Sequence, residues 1–337
     1  MADPDFRTCA RSSAAALQRW YNTKTGLWDS TGWWNSANAL HALVNYTALT
    51  GDGSHLGAIA RTFTAAQRTH ARFINSYYDD NAWWALAWVA AWDLTHEDRY
   101  LAAARAIFSF NTQGWQAASG GGMLWHRKSN YRNAITSELF LLLAGQLYQR
   151  TGDEGHLRWA RTAWDWFAAS GMISPGGLVN DGLDTEGRNN GGPTWTYNQG
   201  VILGGLAVLS DITGDQSCLR QAHTIAGAAL SQLVSPAGVL TEPCEAAGTC
   251  DGDQTQFKGI FIRHLYQLWR HTGTPAYRTF IRASAGSLWA NSTNAASQSG
   301  LRWTGPFDRA DASRQSSALE ALTAAALPTP GPTSAPP

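Results

Sequence analysis

The sequence lacks long apolar runs and carries no excess charge of either sign. No stretch approaches the roughly 20 apolar residues that a membrane-spanning helix needs, and 25 Lys and Arg residues balance 25 Asp and Glu residues along 337 positions. Residues 1–4 show neither the basic nor the apolar region of a signal peptide. We therefore expect no membrane insertion, and a balanced charge provides no basic field that would attract nucleic acid.

Cysteine is scarce as well. The four cysteines form neither a CxxC pair nor a His-rich zinc pattern, so the sequence predicts no metal site. HExxH and P-loop motifs are also absent, and we expect no cofactor. Cys244 and Cys250 flank a short segment with Gly248, which predicts a disulfide-closed loop and an oxidising, extracellular compartment. For Cys9 and Cys218 the sequence gives no physical basis for pairing.

Tryptophan, in contrast, is abundant. The chain has 17 Trp residues, of which we assign about half to the core. The broad face of the others suits stacking on an uncharged ligand, so a neutral partner such as a polysaccharide is expected. The segment 328–337 is rich in Pro and Thr and is predicted to be a stiff linker to a further module, which leaves 1–327 as one domain.

A recurring turn organises the chain. Thr-Gly-Asp or a close variant occurs near 49–52, 94–97, 150–153, 212–215 and 271–274. In each turn Gly favours the end of one helix and the acidic or hydroxyl residue favours the start of the next. Extended outward from these turns, the apolar periodicity predicts helices near 10–21, 36–50, 54–72, 82–94, 97–110, 132–150, 154–170, 194–213, 216–234, 254–272, 275–291 and 314–326.

Short and long connections alternate between these helices. The six long ones are 22–35, 73–81, 111–131, 171–193, 235–253 and 292–313. Antiparallel helices place alternate connections at opposite ends, so the long ones should share one face. This rhythm predicts an all-α, single-domain (α/α)6 barrel of twelve helices, with the even-numbered helices inside and their first turns at the long-loop rim. We expect a monomer whose binding surface lies at that rim.

The most informative motif is Tyr77-Tyr-Asp-Asp-Asn-Ala-Trp-Trp84, which falls on this face. Two adjacent carboxyl groups, Asp79 and Asp80, stand among four aromatic rings just ahead of the predicted fourth helix. Acid groups beside flat apolar surfaces suit the cleavage of a glycosidic bond. The alternative is that Asp80 only caps the helix.

Other polar and aromatic clusters fall on the same rim. They include the segments 120–127, 131–138, 178–184, 195–200 and 251–258, each of which could also be a cap or a turn. Their convergence favours a ligand site. Beyond the aspartate pair, the substrate-binding residues that we predict are Asn81, Trp83, Trp125, Asn133, Asp181, Tyr197 and Asn198.

These motifs, in order from Trp20 to Trp289, resemble glycoside hydrolase family 76, the endo-α-1,6-mannanases. The resemblance rests on 77–88, the Gly-Gly-Gly-Met-Leu-Trp-His to Asn-Ala-Ile-Thr-Ser-Glu segment, Asp181-Gly-Leu, Tyr197-Asn-Gln-Gly and 253–261. It implies cleavage of α-1,6-mannan with net retention, with Asp79 as nucleophile and Asp80 as acid/base. It also implies that Asp181 contacts the sugar at the cleavage site.

The residues leave two alternatives open. A related α-glycanase, or a mannosidase that releases short oligosaccharides, would use the same acids on a different substrate. A glycan-binding protein without catalysis could use the same tryptophans, but binding alone gives no reason to place two repelling carboxylates together. Repulsion within the pair should raise one pKa and keep that group protonated near neutrality, as an acid catalyst requires.

Overall fold

The computed structural model describes residues 4–117 and 120–326, so the predicted linker 328–337 lies outside the described residues. Within them the chain forms twelve α-helices and one short antiparallel hairpin, β1 (Tyr21–Asn22) with β2 (Leu27–Trp28). The helices are α1 (Phe6–Leu17), α2 (Trp33–Thr50), α3 (Leu56–Ala65), α4 (Tyr78–Thr95), α5 (Asp98–Asn111), α6 (Ala134–Thr151), α7 (Glu154–Ala169), α8 (Thr196–Thr213), α9 (Gln216–Gln232), α10 (Phe257–Thr272), α11 (Pro275–Asn291) and α12 (Ala312–Ala326).

The even-numbered helices form a closed inner ring. Each packs against the next even helix, and α12 returns to α2. The inner helix α4 is apolar around most of its circumference and is buried along most of its length, as expected for a helix surrounded by protein. The odd helices lie outside this ring and bury one stripe. This arrangement confirms the predicted (α/α)6 barrel.

The recurring turns connect inner helices to outer ones. Gly51, Gly152, Gly214 and Gly273 adopt left-handed backbone conformations immediately after inner helices, and each donates its N–H to a carbonyl four residues earlier. After the first three of these glycines an Asp caps the next helical segment, and after Gly273 a Thr takes that position. For example, the Asp153 carboxylate accepts the N–H of Gly155 at 2.8 Å. At the remaining turn, near 94–97, His96 takes the left-handed position instead of glycine, with φ of 55°.

Two predicted boundaries are wrong in ways that matter for the site. Helix α4 begins at Tyr78 rather than near residue 82, so Asp79 and Asp80 lie inside its first turn and not ahead of it. Its N-cap is Tyr77, whose side chain makes no capping hydrogen bond. Because the prediction relied on polar N-cap residues, it placed the start of α4 too late in the chain. Helix α3 ends at Ala65 and continues as two short 3₁₀ turns, Ala66–Arg68 and Ala71–Phe73.

The long connections share the face where inner helices begin, and a disulfide closes part of one of them. Cys244 and Cys250 are bonded, with their Cα atoms 5.0 Å apart, which confirms the predicted bridge. Cys9 and Cys218 are buried free thiols. Just before the bridge, Glu242 accepts the backbone N–H of Thr196 at 2.9 Å and so caps α8. The closed loop is thus tied to the start of an inner helix.

Removing this bridge should lower stability modestly. Cys244→Ser together with Cys250→Ser releases a short loop, for which the chain-entropy model gives about 2 kcal/mol. The measurement is urea unfolding of wild type and double variant under non-reducing conditions. An unchanged unfolding midpoint would show that the loop is held by its other contacts alone. Cys9→Ser, which removes a free thiol, serves as the control for cysteine replacement.

Candidate active site

The first turn of α4 presents two carboxyl groups at the mouth of the barrel. The preceding segment is held in place because the N–H of Tyr78 donates to the carbonyl of Trp125 at 3.0 Å, and Tyr77 forms an isolated antiparallel bridge with His126. The loop between α5 and α6 is therefore fastened to the start of α4. Acidic residues are favourable in a first turn because the helix dipole is positive there.

The two aspartates have different partners. Asp79 accepts a hydrogen bond from the indole N–H of Trp125 at 3.0 Å through Oδ2. Its Oδ1 is buried without a hydrogen-bond partner among the described residues. Asp80 instead accepts the side-chain amide of Asn75 at 2.6 Å. Different partners fix the two carboxyl groups separately, and no hydrogen bond from the part of the chain that the structure describes competes for Oδ1 of Asp79.

Both carboxyl groups bind protons more tightly than usual. Burial, followed by the neighbouring charge of Asp80, raises the pKa of Asp79 well above its ordinary value. Burial raises the pKa of Asp80 to about 7, the Asn75 hydrogen bond opposes the rise, and the charge of Asp253 adds to it. Two interacting groups titrate as a pair. Both shifts favour a pair that retains a proton near neutral pH, as an acid catalyst requires.

A third carboxyl group, Asp181, is positioned by the loop before α6. Tyr131 donates its hydroxyl to Oδ2 of Asp181, and the Asn190 amide donates to the same hydroxyl at 3.1 Å. The backbone carbonyl of Asp181 accepts the N–H of Ala134 at 2.8 Å. A side chain at Gly182 would place its Cβ 2.6 Å from the Tyr131 hydroxyl oxygen, so this close approach requires glycine.

Aromatic rings form the other walls of the cleft, which encloses about 480 Å³. Tyr197 stacks on Phe257 with ring centroids 3.7 Å apart and an interplanar angle of 12°. Trp34 stacks on Trp83 at 5.7 Å and 27°. Flat rings beside carboxyl groups can hold a sugar by its apolar face while its hydroxyls bind the acids. The lining consists of Gly32, Trp33, Trp34, Asn35, Tyr77, Asp79, Asp80, Trp83, Trp125, Tyr131, Asn133, Asp181, Tyr197, Asp253 and Phe257.

The cleft brings together seven of the residues that the sequence analysis selected. They are Asp79, Asp80, Trp83, Trp125, Asn133, Asp181 and Tyr197. Asn133 also caps α6, since its side-chain oxygen accepts the N–H of Thr136 at 3.4 Å. The same side chain can therefore cap a helix and line the cleft.

Two selected residues do not reach the cleft. Asn81 is completely buried, accepts the N–H of Asn75 at 2.8 Å and donates to Asn111 at 3.3 Å, so it braces the segment that carries Asn75. Asn198 is also completely buried, and both polar atoms of its amide lack a partner within the described ranges. Successive side chains of a helix point about 100° apart. Where one residue faces the cleft, the residue next to it can therefore point into the protein, as Asn81 and Asn198 do.

Sequence reasoning missed other cleft residues. Trp34 comes from the start of α2, Phe257 opens α10, and Tyr131 and Asp253 belong to noted segments but received no individual role. The available signal was that even helices begin at the rim. Applied to α2, that rule would have selected the Trp33-Trp34 pair.

Comparison with known proteins decides the family. The model of glycosyl hydrolase family 76 matches residues 7–335. The chain belongs to that family. Mannan endo-1,6-alpha-mannosidase DCW1 of Saccharomyces cerevisiae is 28% identical over 273 residues, which are 73% of this chain and 60% of the relative. The chain thus spans about 60% of the length of the curated relatives that it matches.

Solved structures agree with this family 76 assignment. The GH76A alpha-1,6-mannanase from Salegentibacter sp. HEL1_6 superposes with a TM-score of 0.87 and 26% identity, over 95% of this chain and 99% of that one. An inactive variant of that enzyme, with two consecutive aspartates replaced by alanine, is known in complex with alpha-1,6-mannotetrose. That variant has a TM-score of 0.86 and 24% identity, over 96% and 99% of the two chains. The barrel and the family predicted from the sequence are therefore both confirmed.

Proposed function

We propose that this family 76 chain is a glycoside hydrolase that cleaves internal α-1,6-mannosidic bonds of mannan backbones with retention of configuration. The observation that carries the proposal is the adjacent pair Asp79 and Asp80, which lines an aromatic cleft. Burial raises the pKa of both carboxyl groups. The named activities of the curated relatives and of the Salegentibacter enzyme support the choice of linkage.

In the first step Asp79 attacks the anomeric carbon of a mannosyl unit, and the bond from that carbon to the glycosidic oxygen breaks. Asp80 transfers its proton to the departing oxygen, and a covalent glycosyl ester of Asp79 forms. In the second step Asp80, now ionised, removes a proton from water. The water oxygen bonds to the anomeric carbon and expels Asp79. Two displacements restore the α configuration.

The surrounding side chains fit these roles. The Trp125 N–H favours the ionised form of Asp79 and opposes the burial that raises its pKa, while burial raises the pKa of Asp80 to about 7. Asp181, oriented by the Tyr131 hydroxyl, is placed to accept a sugar hydroxyl at the cleavage site. Such a hydrogen bond contributes to catalysis when it strengthens as the ring distorts toward the oxocarbenium-like state.

The surroundings of the protein are also part of the proposal. A disulfide at Cys244 and Cys250 suits an oxidising compartment, so we propose that the protein is secreted. We also propose that it acts as a monomer. Within the described residues no helix is both long enough and apolar enough to span a bilayer. We retain 1–327 as the catalytic domain and 328–337 as a linker.

The function is tested by incubating the protein with linear α-1,6-mannan and separating the products by chromatography. Internal cleavage should give a ladder of oligosaccharides before mannose accumulates. Linear β-mannan and an α-1,6-glucan are the matched controls for anomer and for sugar, and we expect neither to be cut. A protein that binds mannan without any product would instead be a glycan-binding module, and cleavage of the glucan alone would mean a different α-glycanase.

The pH dependence follows from the direction of the Asp80 shift. The acid must be protonated, and the pKa of Asp80 is about 7. The value of kcat/KM should therefore fall by about tenfold per pH unit above that point. Below the optimum it should fall again as the pair takes up a second proton and Asp79 loses its charge. Initial rates on linear α-1,6-mannan between about pH 4 and pH 9, a range that extends from the ordinary aspartate value to above the Asp80 value, provide the test. A constant rate up to pH 9, about two units above the Asp80 value, would remove Asp80 as the acid.

A further inference from the structure

Asp253 lies at the end of the connection between α9 and α10, where the chain turns into the 3₁₀ segment Gln254–Gln256. The turn is well fixed, because the Asp251 carboxylate accepts the N–H of Asp253 at 2.9 Å and the N–H of Gln254 at 3.2 Å. The Asp253 side chain is left to face the cleft, which it lines. A hydrogen-bonded turn of this kind presents a carboxyl group in one orientation.

The first contact of Asp253 is with a ring of the cleft wall. Its Oδ1 accepts the indole N–H of Trp34 at 2.9 Å. Trp34 stacks on Trp83 and its centroid lies 6.1 Å from that of Phe257. An indole has a single N–H donor, so one acceptor at this position fixes the rotation of the ring about its side-chain bonds. Asp253 therefore sets the orientation of a stacking surface.

The second effect of Asp253 is electrostatic. Asp79, Asp80, Asp181 and Asp253 are the four carboxyl groups that line the cleft. Burial is the main cause of the raised pKa of Asp80, and the charge of Asp253 raises that pKa further. A negative charge across the cleft opposes ionisation of an acid. The Trp34 hydrogen bond favours the ionised form of Asp253 while burial opposes it.

We propose that Asp253 is a positioning residue of the cleft: its carboxylate fixes the Trp34 indole as a sugar-stacking surface and places a negative charge opposite the acid catalyst Asp80. The inference rests on the proposed function, since it assigns Asp80 the role of acid. It adds a residue that the reaction scheme does not contain and gives it two separable effects.

The other ionisable groups around Asp80 limit what Asp253 alone can change. Asp79 is its neighbour on α4, Asp181 comes from the loop before α8, and three tyrosines, Tyr77, Tyr131 and Tyr197, also line the cleft. The charge of Asp251, in the same turn, raises the pKa of Asp253. The cleft-lining residues of α2 are Trp33, Trp34 and Asn35, and none of them titrates. Removing the Asp253 charge should therefore reduce the proton affinity of Asp80 without abolishing it.

Three variants separate the two effects. Asp253→Asn keeps an oxygen that can accept the Trp34 N–H but removes the charge. The alkaline limb of kcat/KM on linear α-1,6-mannan should then move down by roughly half a pH unit. Asp253→Ala should give the same displacement and also raise KM several-fold, because the indole loses its acceptor. Trp34→Phe removes the donor but keeps a ring and the Asp253 carboxyl group, so it should raise KM while moving the limb less than Asp253→Asn does.

Glu186→Gln is the matched control for charge. Glu186 is an exposed acidic residue in the same loop as Asp181 that does not line the cleft, so its variant should keep the wild-type pH profile. Circular dichroism and thermal unfolding confirm that each variant is folded. An Asp253→Asn profile that superimposes on wild type overturns the electrostatic effect, and an unchanged KM in folded Asp253→Ala overturns the anchoring effect. Failure of the proposed function looks different, since wild type itself would then cut no α-1,6-mannan.

Discussion

Replacement of Asp79 by asparagine is expected to lower kcat on linear α-1,6-mannan by on the order of 10⁴ or more. The amide keeps the shape of the side chain and can still accept the Trp125 N–H through its oxygen. It cannot form the glycosyl ester, so the first displacement is lost. Because the amide carries no charge and Asp79 is half-buried, the variant should fold as well as wild type. Steady-state rates and thermal unfolding measure the two effects independently.

The control for Asp79→Asn is a first-turn aspartate on the opposite face of the barrel. Asp98 opens α5, is exposed and does not line the cleft, so Asp98→Asn removes the same favourable interaction with a helix dipole. We expect wild-type turnover from it. If Asp79→Asn kept wild-type kcat while losing only stability, the aspartate pair would be a capping device and the mechanism would be wrong.

Replacement of Asp80 by alanine should have the second largest effect, a fall in kcat of about 10²–10⁴ on mannan because general acid and general base assistance are both lost. The loss in kcat/KM should be much smaller on an aryl α-mannobioside, whose phenolate leaves without a proton. Hydrolysis of the Asp79 ester, which still lacks its general base, then limits kcat. Added azide needs no general base, so it should speed turnover and yield an α-mannosyl azide.

The azide experiment also distinguishes the two aspartates. With Asp80→Ala the azide replaces water on the glycosyl ester, whereas Asp79→Ala forms no such ester and cannot give the α-mannosyl azide. Equal responses from the two variants would contradict the separate roles.

In Asp80→Ala the loss of the Asn75 hydrogen bond is expected to cost about 1 kcal/mol or less, since Asn75 is only partly buried and can bond to water instead.

Much of the barrel could be predicted because its repeating unit has a local signal. The Thr-Gly-Asp turns combine a left-handed glycine such as Gly152 with a capping aspartate such as Asp153, and both depend only on neighbouring backbone. The start of α4 has no such signal. Tyr77 provides no cap, and the helix begins there because Tyr78 bonds to Trp125, a contact between segments far apart in sequence.

The site shows the same division. Asp79, Asp80 and Asp181 could be selected because their residue types fit the chemistry and their segments resemble a family. Asn81 and Asn198 are buried and do not line the cleft, because the direction of a side chain in a first turn depends on which helices pack around it. A direct contact such as that between Trp34 and Asp253 joins residues from α2 and the α9–α10 connection. No pattern within either segment contains that information.

The configuration of the first-formed product tests most directly whether Asp79 forms a covalent intermediate on α-1,6-mannan. Proton NMR during early hydrolysis of linear α-1,6-mannan resolves the anomeric signals of the new reducing ends before they mutarotate. Two displacements predict that the α signal appears first and the β signal grows later. A β signal that appears first would mean a single displacement by water, which would contradict the assignment of Asp79 as nucleophile.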